Sequence, residues 1–281
     1  MVQYDLLDGV DHEVVYQAFL DAFSDYQVNV NPSCYQFEQM LKQRGYEPTL
    51  SLGAFDHGRL VGFVLNGYRT WNGIATAYDL GTGVIAPFRK QGITSHILRL
   101  ARERFGSAGI QQYLLEVITS NTAAVQLYQK NGFTIQRELE CYERGRVETT
   151  RSGTYAVEHV PELDWERLKD FWDFTPSWQN STASIRAVPE DFIYSVVRQN
   201  GSIVGYGVMD KARGDIPQIA VENGWRNRGI GSSLVADLIQ NTASEKISVL
   251  NVELPSKSVA QFLLGLEFQF IVSQYEMMLS L

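Results

Sequence analysis

Two short phrases carry the chemistry most open to reading. Arg-Lys-Gln-Gly-Ile-Thr runs from Arg89 to Thr94, and Arg-Asn-Arg-Gly-Ile-Gly runs from Arg226 to Gly231. Each stands where a predicted strand gives way to a predicted helix. A helix N-terminus leaves backbone N–H groups unpaired and carries partial positive charge. Glycine lets that backbone approach a ligand with no side chain in the way. Together these make a cradle for phosphate or pyrophosphate. Arg89 with Lys90, and Arg226 with Arg228, add cationic donors. Neither phrase ends in Gly-Lys-Ser/Thr, so neither is a Walker loop. No Gly-x-Gly-x-x-Gly occurs, which argues against a dinucleotide fold.

The elements that position these phrases are themselves repeated. Asp56–Leu65 resembles Gln199–Val208, each with a glycine turn followed by an apolar run, the signature of a hairpin. Ser120–Ile135 aligns with Pro255–Phe270. The offset between copies is 143 residues at the hairpin, 137 at the phrase and 135 at the closing Phe133 and Phe268. Such a small drift means one order of elements written twice with short deletions. In the first copy, apolar spacing predicts helices near 12–23 and 34–44, the second with a Ser33 cap and a Gly45 stop. Hairpin strands follow, then a strand weakened by Gly81 and Gly83, a helix from the phrase, a buried strand at 112–118, a short Asn-capped helix and a closing strand. Glycine inside a strand marks a bulge or a close backbone approach. These signals predict domains at 1–145 and 154–281 joined by a polar linker at 146–153.

The chain has 281 residues, 44% of them hydrophobic, enough for two cores. Its net charge is −8, and both halves are acidic, which argues against a nucleic-acid partner. No apolar run approaches the roughly 18 residues of a membrane span, and the acidic start lacks a secretory pattern. Cys34 and Cys141 lie far apart and the four histidines are scattered, so free thiols in a reducing cytoplasm and no metal site are expected.

Val84–Thr94 reads Val-Ile-Ala-Pro-Phe-Arg-Lys-Gln-Gly-Ile-Thr. With its glycine-bulged strand and following helix, it resembles the acyl-CoA signature of the GNAT N-acetyltransferase superfamily. Thr94 stands where that family usually has Gly or Ala. Val221–Gly231 keeps Arg226, Gly229 and Gly231 but has Gly224 in place of proline, and Asn121–Phe133 resembles the second family signature. The resemblance covers nearly all of both halves. It implies an α/β (α+β type) fold of two tandem domains. Each would have a mixed, mostly antiparallel sheet, a bulged and splayed strand pair, and helices on both faces.

The resemblance further implies acetyl-CoA as co-substrate and an amine of a small molecule or peptide as acceptor. The pantetheine arm would lie along Val84, Ile85 and Ala86, and the pyrophosphate would meet Arg89, Lys90 and Gln91, Gly92, Ile93, Thr94 and Ser95. Asn121 would bond the pantetheine amide or cap its helix. The second copy's counterparts are Ile219, Val221, Arg226, Arg228, Gly229, Ile230, Gly231 and Ser232. Acetyl transfer needs a neutral amine, an oxyanion donor and a proton for the departing thiolate. By resemblance Tyr128 supplies that proton. Asp79, just before the bulge, is the candidate base, accepting the amine proton directly or through water, and Glu116 is the reserve. Tyr68, Trp71 and Tyr78 are candidate acceptor-pocket residues. Leu263 stands opposite Tyr128 and Ser256 opposite Asn121, so the first copy is expected to be the catalyst. An acyl-CoA-binding sensor or scaffold without turnover, and transfer to a non-amine acceptor, stay open, as does a homodimer.

Overall fold

A computed structural model describes residues 2–25, 30–146 and 154–281. Most of the expected 146–153 linker therefore lies outside the described residues. Two compact units emerge: Met1–Gln136 with Tyr275–Leu281, and Arg137–Gln274.

Unit 1 begins with β1 (Gln3–Leu6), α1 (His12–Phe23) and α2 (Cys34–Arg44). Helix α1 starts at Asp11, whose side chain accepts from Glu13 N–H, and buries Val15, Ala18, Phe19 and Ala22. Helix α2 starts on a full Ser33–Gln36 capping box and stops at Gly45 in the left-handed region. Strands β2 (Leu52–Asp56), β3 (Arg59–Trp71) and β4 (Ile74–Val84) pair antiparallel in succession, with β1 on the outer edge of β2. Then come α3 (Ile93–Ser107), β5 (Gln112–Ile118), α4 (Thr122–Lys130) and β6 (Thr134–Gly145). Strand β5 runs parallel to β4.

Unit 2 repeats the scheme. It holds β7 (Glu158–His159), α5 (Trp165–Leu168), α6 (Thr182–Ala187), β8 (Phe192–Gln199), β9 (Ser202–Asp210) and β10 (Gln218–Val221). These are followed by α7 (Ile230–Gln240), β11 (Lys246–Glu253), α8 (Lys257–Gly265) and β12 (Gln269–Ser280). Its core packs Trp165, Phe171, Ile185, Val196 and Tyr206 in one cluster and Val235, Leu238, Ile247, Leu263 and Phe268 in another.

The partition differs from contiguous domains at 1–145 and 154–281. Strands β6 and β12 are each 12 residues long and each changes unit part-way. In unit 1 the 275–280 end of β12 lies between β5 and the start of β6. There Leu281 N–H reaches Gln111 O at 2.9 Å, and Thr134 Oγ1 donates to Met278 O at 3.2 Å. In unit 2 the 137–145 end of β6 pairs antiparallel with β11. No helix among the described residues is long and apolar enough to cross a membrane.

Candidate active site

The β4 ladder has an irregularity that organises unit 1. Asn66 pairs with Asp79 and Leu65 with Gly81, which leaves Leu80 without a partner across the ladder. That is a bulge, and Arg44 Nη1 donates to the Leu80 carbonyl at 3.1 Å. On its other side β4 pairs with β5 only through Thr76, Ala77 and Tyr78. Beyond Tyr78 and Leu114 the two strands part. Ile85 N–H bonds Val61 O at 3.0 Å, toward β3. By strand alternation the Val84 N–H then faces the opened edge, where an extended polar ligand arm can pair with it.

At the end of β4 the chain turns through Ala86–Phe88 into α3. Lys90 (φ 62°) and Gly92 (φ 79°) both adopt the left-handed region. Nothing lies within 4 Å of where a Gly92 Cβ would sit, and α3 begins with no side-chain cap. Lys90, Gln91 and Gly92 are exposed, Ile93 is buried, and Thr94 and Ser95 are half-buried on the first turn. Gln91 Nε2 bonds back to Pro87 O at 3.1 Å.

Arg89 does other work. Its Nε donates to Val84 O at 2.9 Å, Nη2 donates to Ala22 O at 3.0 Å, and both terminal nitrogens meet Asp25 at 2.6 Å. Arg226 repeats the pattern on Val221 O, Phe171 O and Asp173. In both units this arginine fastens the cradle loop to the preceding segment rather than aiming into the cradle. Asn121 acts as the α4 cap, its side chain accepting from Ala124 N–H at 3.2 Å.

Where β4 and β5 part, the predicted chemical groups converge. Tyr128 is buried on α4 and donates to Asp79 Oδ2 at 3.2 Å. Thr82 Oγ1 donates to the same oxygen at 2.6 Å, while buried Asp79 Oδ1 has no hydrogen-bond partner. Burial pushes the Asp79 carboxyl up to about 6, against the lowering effect of Thr82, Tyr128 and the Gly81 N–H. Tyr78, also buried, donates to Glu116, and burial holds its hydroxyl well above the ordinary tyrosine range. Tyr113 bonds Asn66 Oδ1 at 2.7 Å beneath the cluster. Of the three candidate acceptor-pocket aromatics, Tyr78 belongs to this cluster, Tyr68 is exposed and Trp71 is half-buried at the end of β3. Thr82 escaped the sequence reading; its signal is its spacing, three residues after Asp79 across the bulge.

The raised Asp79 value has a consequence for stability. The unfolded chain releases this proton near 3.8 and the folded one near 6, so the group's contribution declines as pH rises from about 4 to about 6. At pH 8 the ionised carboxylate costs up to about 3 kcal/mol, at about 1.4 kcal/mol per pKa unit. Asp79→Asn is therefore expected to raise Tm at pH 8, and the gain should shrink toward pH 4. Differential scanning calorimetry at the two pH values checks this; a lower Tm at pH 8 counts against it.

Unit 2 repeats the loop conformation before its long helix and carries other residues at the positions of the ionisable groups. Asn227 (φ 60°) and Gly229 (φ 92°) reproduce the left-handed pair before α7. A groove of about 380 Å³ opens there, lined by Ile219, Val221, Trp225, Gly231 and Phe262 among others. Ile230 is buried and Ser232 exposed, and the Arg228 guanidinium stacks over Trp225 at 4.8 Å. The 137-residue offset puts Ile216 opposite Asp79; the 135-residue offset puts Asn251 opposite Glu116 and Leu263 opposite Tyr128. A neutral hydrogen-bond network runs beside β9 and β10. Trp172 Nε1 donates to Tyr206 OH, Tyr206 OH to Gln218 Oε1, Gln218 Nε2 to Asn180 O, and Asn180 Nδ2 to Leu250 O, all at 2.7–2.9 Å. The cavity left beside it measures about 50 Å³.

The model of the family described as "Acetyltransferase (GNAT) family" matches residues 15–133 and again 157–265. The chain belongs to the GNAT acetyltransferase family. Its two GNAT-like domains correspond to the two repeats. Among curated GNAT relatives, GCN5-related N-acetyltransferase 6, chloroplastic, of Arabidopsis thaliana is 35% identical over 72 residues, or 26% of this chain and 23% of that one. N-alpha-acetyltransferase 30 of Dictyostelium discoideum is 30% identical over 99 residues, or 35% and 54%. The matches thus span about a quarter and about half of those relatives. Solved structures share the fold across the whole chain. A GCN5-related N-acetyltransferase from Sphaerobacter thermophilus superposes with a TM-score of 0.74 at 15% identity, covering 99% of this chain and 95% of that one. A tandem GNAT protein from the clavulanic acid biosynthesis pathway gives 0.69 at 14% identity, covering 100% and 98%. Among the described residues no group of three His, Cys, Asp or Glu side chains could hold a metal ion.

Proposed function

We propose that unit 1 is an N-acetyltransferase that moves an acetyl group from acetyl-CoA to a primary amine of a small molecule or peptide, with Tyr128 as general acid. The observation that carries this reading is the Tyr128–Asp79 contact at 3.2 Å, set where β4 and β5 part. The name N-alpha-acetyltransferase 30 of the Dictyostelium relative is compatible with an amine acceptor.

The residues present fit acetyl-CoA, which supplies a reactive acetyl thioester when bound. The uncapped first turn of α3, the open Gly92 and the exposed Lys90 suit a pyrophosphate. The free edge of β4 around Val84 suits the amide-bearing arm. Arg89 serves this site by holding the loop to α1. Tyr128 holds a proton on its Oη for the departing sulfur. Glu116, bonded to Tyr78, stands near the same opening.

For unit 2 a second reading has its own support. An open cradle with Ile216, Asn251 and Leu263 in place of the ionisable groups suits acyl-CoA binding without turnover. The experiment for both readings is thermal unfolding with acetyl-CoA. Ligand at about 100 times Kd stabilises the native state by about 2.7 kcal/mol. A rise in Tm of several degrees is expected, and Gly92→Glu should remove the unit 1 part by setting a carboxylate against the pyrophosphate. Thiol release from acetyl-CoA with a panel of amines then identifies the acceptor class. No shift at millimolar acetyl-CoA would sink the proposal.

A further inference from the structure

Asp79 is as buried as Tyr128 where β4 and β5 part. It is 7% exposed; its Oδ2 receives two hydroxyls and its Oδ1 is buried without a partner. The Tyr128 hydroxyl is a direct proton route to and from Asp79 Oδ2. A tyrosine hydroxyl has one proton, and here that proton is directed at Asp79. Its oxygen can also accept a proton from another group.

We propose that Tyr128 and Asp79 form one proton shuttle that serves both ends of the reaction. As the amine nitrogen bonds to the acetyl carbon, its surplus proton moves to Tyr128 Oη while the tyrosine's own proton passes to Asp79 Oδ2. As the C–S bond breaks with its electron pair going to sulfur, Asp79 returns its proton to Tyr128 and Tyr128 passes one to the thiolate. The amine's proton ends on the thiol, and both side chains finish as they began. Asp79 is a positioning residue and proton store acting through Tyr128, and no separate base is needed.

The surroundings suit this task. Thr82 and the Gly81 N–H from β4 steady the carboxylate; Tyr78 from β4, Tyr113 and Glu116 from β5 and Tyr128 from α4 are the titratable groups around it. Asp79 is ionised at neutral pH yet takes a proton readily, because burial raises its value to about 6. Turnover should fall as pH drops through about 6, when the store fills.

The inference rests on the acetyl-transfer reading, and the test separates the two. The single variants Tyr128→Phe, Asp79→Asn and Glu116→Gln, and the Tyr128→Phe/Asp79→Asn double, are compared by kcat, KM and pH profile. Asp79→Asn should lose roughly 10–100-fold in kcat with little change in KM for acetyl-CoA, and should lack the acid limb near pH 6. The double variant should be within about threefold of Tyr128→Phe alone, because the two act as a unit. In parallel, ¹³C-aspartate NMR should show the Asp79 titration midpoint moving upward in Tyr128→Phe, which loses a hydrogen bond to the ionised form. An unmoved midpoint, multiplicative losses in the double variant, or wild-type kcat in Asp79→Asn beside a hundredfold loss in Glu116→Gln would each overturn the shuttle. A wild-type protein that acetylates no amine overturns the acetyl-transfer reading itself, and the shuttle with it.

Discussion

Tyr128→Phe is expected to lower kcat by roughly 10²–10⁴-fold, the usual contribution of a positioned proton donor. The substitution keeps the ring that packs edge-to-face on Phe133 at 5.6 Å and removes only the hydroxyl. The fold should therefore hold, and the Tm should stay close to wild type. Acetyl-CoA binding should change little, because the loss is confined to proton transfer. Steady-state kinetics beside calorimetric titration of acetyl-CoA separate the two effects. Wild-type turnover in the phenylalanine variant would remove Tyr128 from the chemistry. Leu263, its counterpart in unit 2, offers a control: Leu263→Ala opens a cavity in a fully buried position and costs about 2–5 kcal/mol, yet takes no proton from any site.

Removing Tyr275–Leu281 should cost unit 1 its fold. These seven residues belong to unit 1 and bring buried Met277 and Leu279 to its core. Losing either side chain alone is worth about 2–5 kcal/mol, and the deletion also strips the backbone partners of β5 and of the start of β6. Against a typical total stability of about 5–15 kcal/mol, little is left. The truncated protein should lack cooperative unfolding of unit 1 by calorimetry and show rapid proteolysis within residues 2–136. Cooperative melting at the wild-type temperature would show that the strand end is dispensable. An Asp79→Asn chain, by contrast, keeps every strand, so a loss of activity there has a different origin.

Much of this was legible in the residues. Glycine before α3 and α7 marks itself, because few other residues tolerate a positive φ beside an open backbone. Repeat spacing exposed the missing tyrosine at Leu263, since two copies of one fold can be compared position by position. Cap and stop residues located α2 through Ser33 and Gly45. What stayed hidden depends on distant partners. Arg89 reads as a phosphate ligand until Asp25 and the Ala22 carbonyl, 64 and 67 residues away, appear beside it. Asp79 reads as an accessible base until its burial and its contact with Tyr128 are seen. The pairing of Tyr78 with Glu116 joins two strands whose register no local pattern states. Strand exchange was the deepest omission. Length does not reveal it: β6 and β12 run to 12 residues, but β3, which stays within unit 1, runs to 13.

That exchange bears on how such a chain can change over generations. When a gene duplicates and one copy falls idle, deletion usually disposes of the idle copy. Here truncation anywhere between the two crossing strands would take residues 275–281 from unit 1 as well, because they follow unit 2 along the chain. Unit 2 is thus enclosed along the chain by the two segments of unit 1, and its backbone can be shortened from the end only by taking the last strand of unit 1 with it.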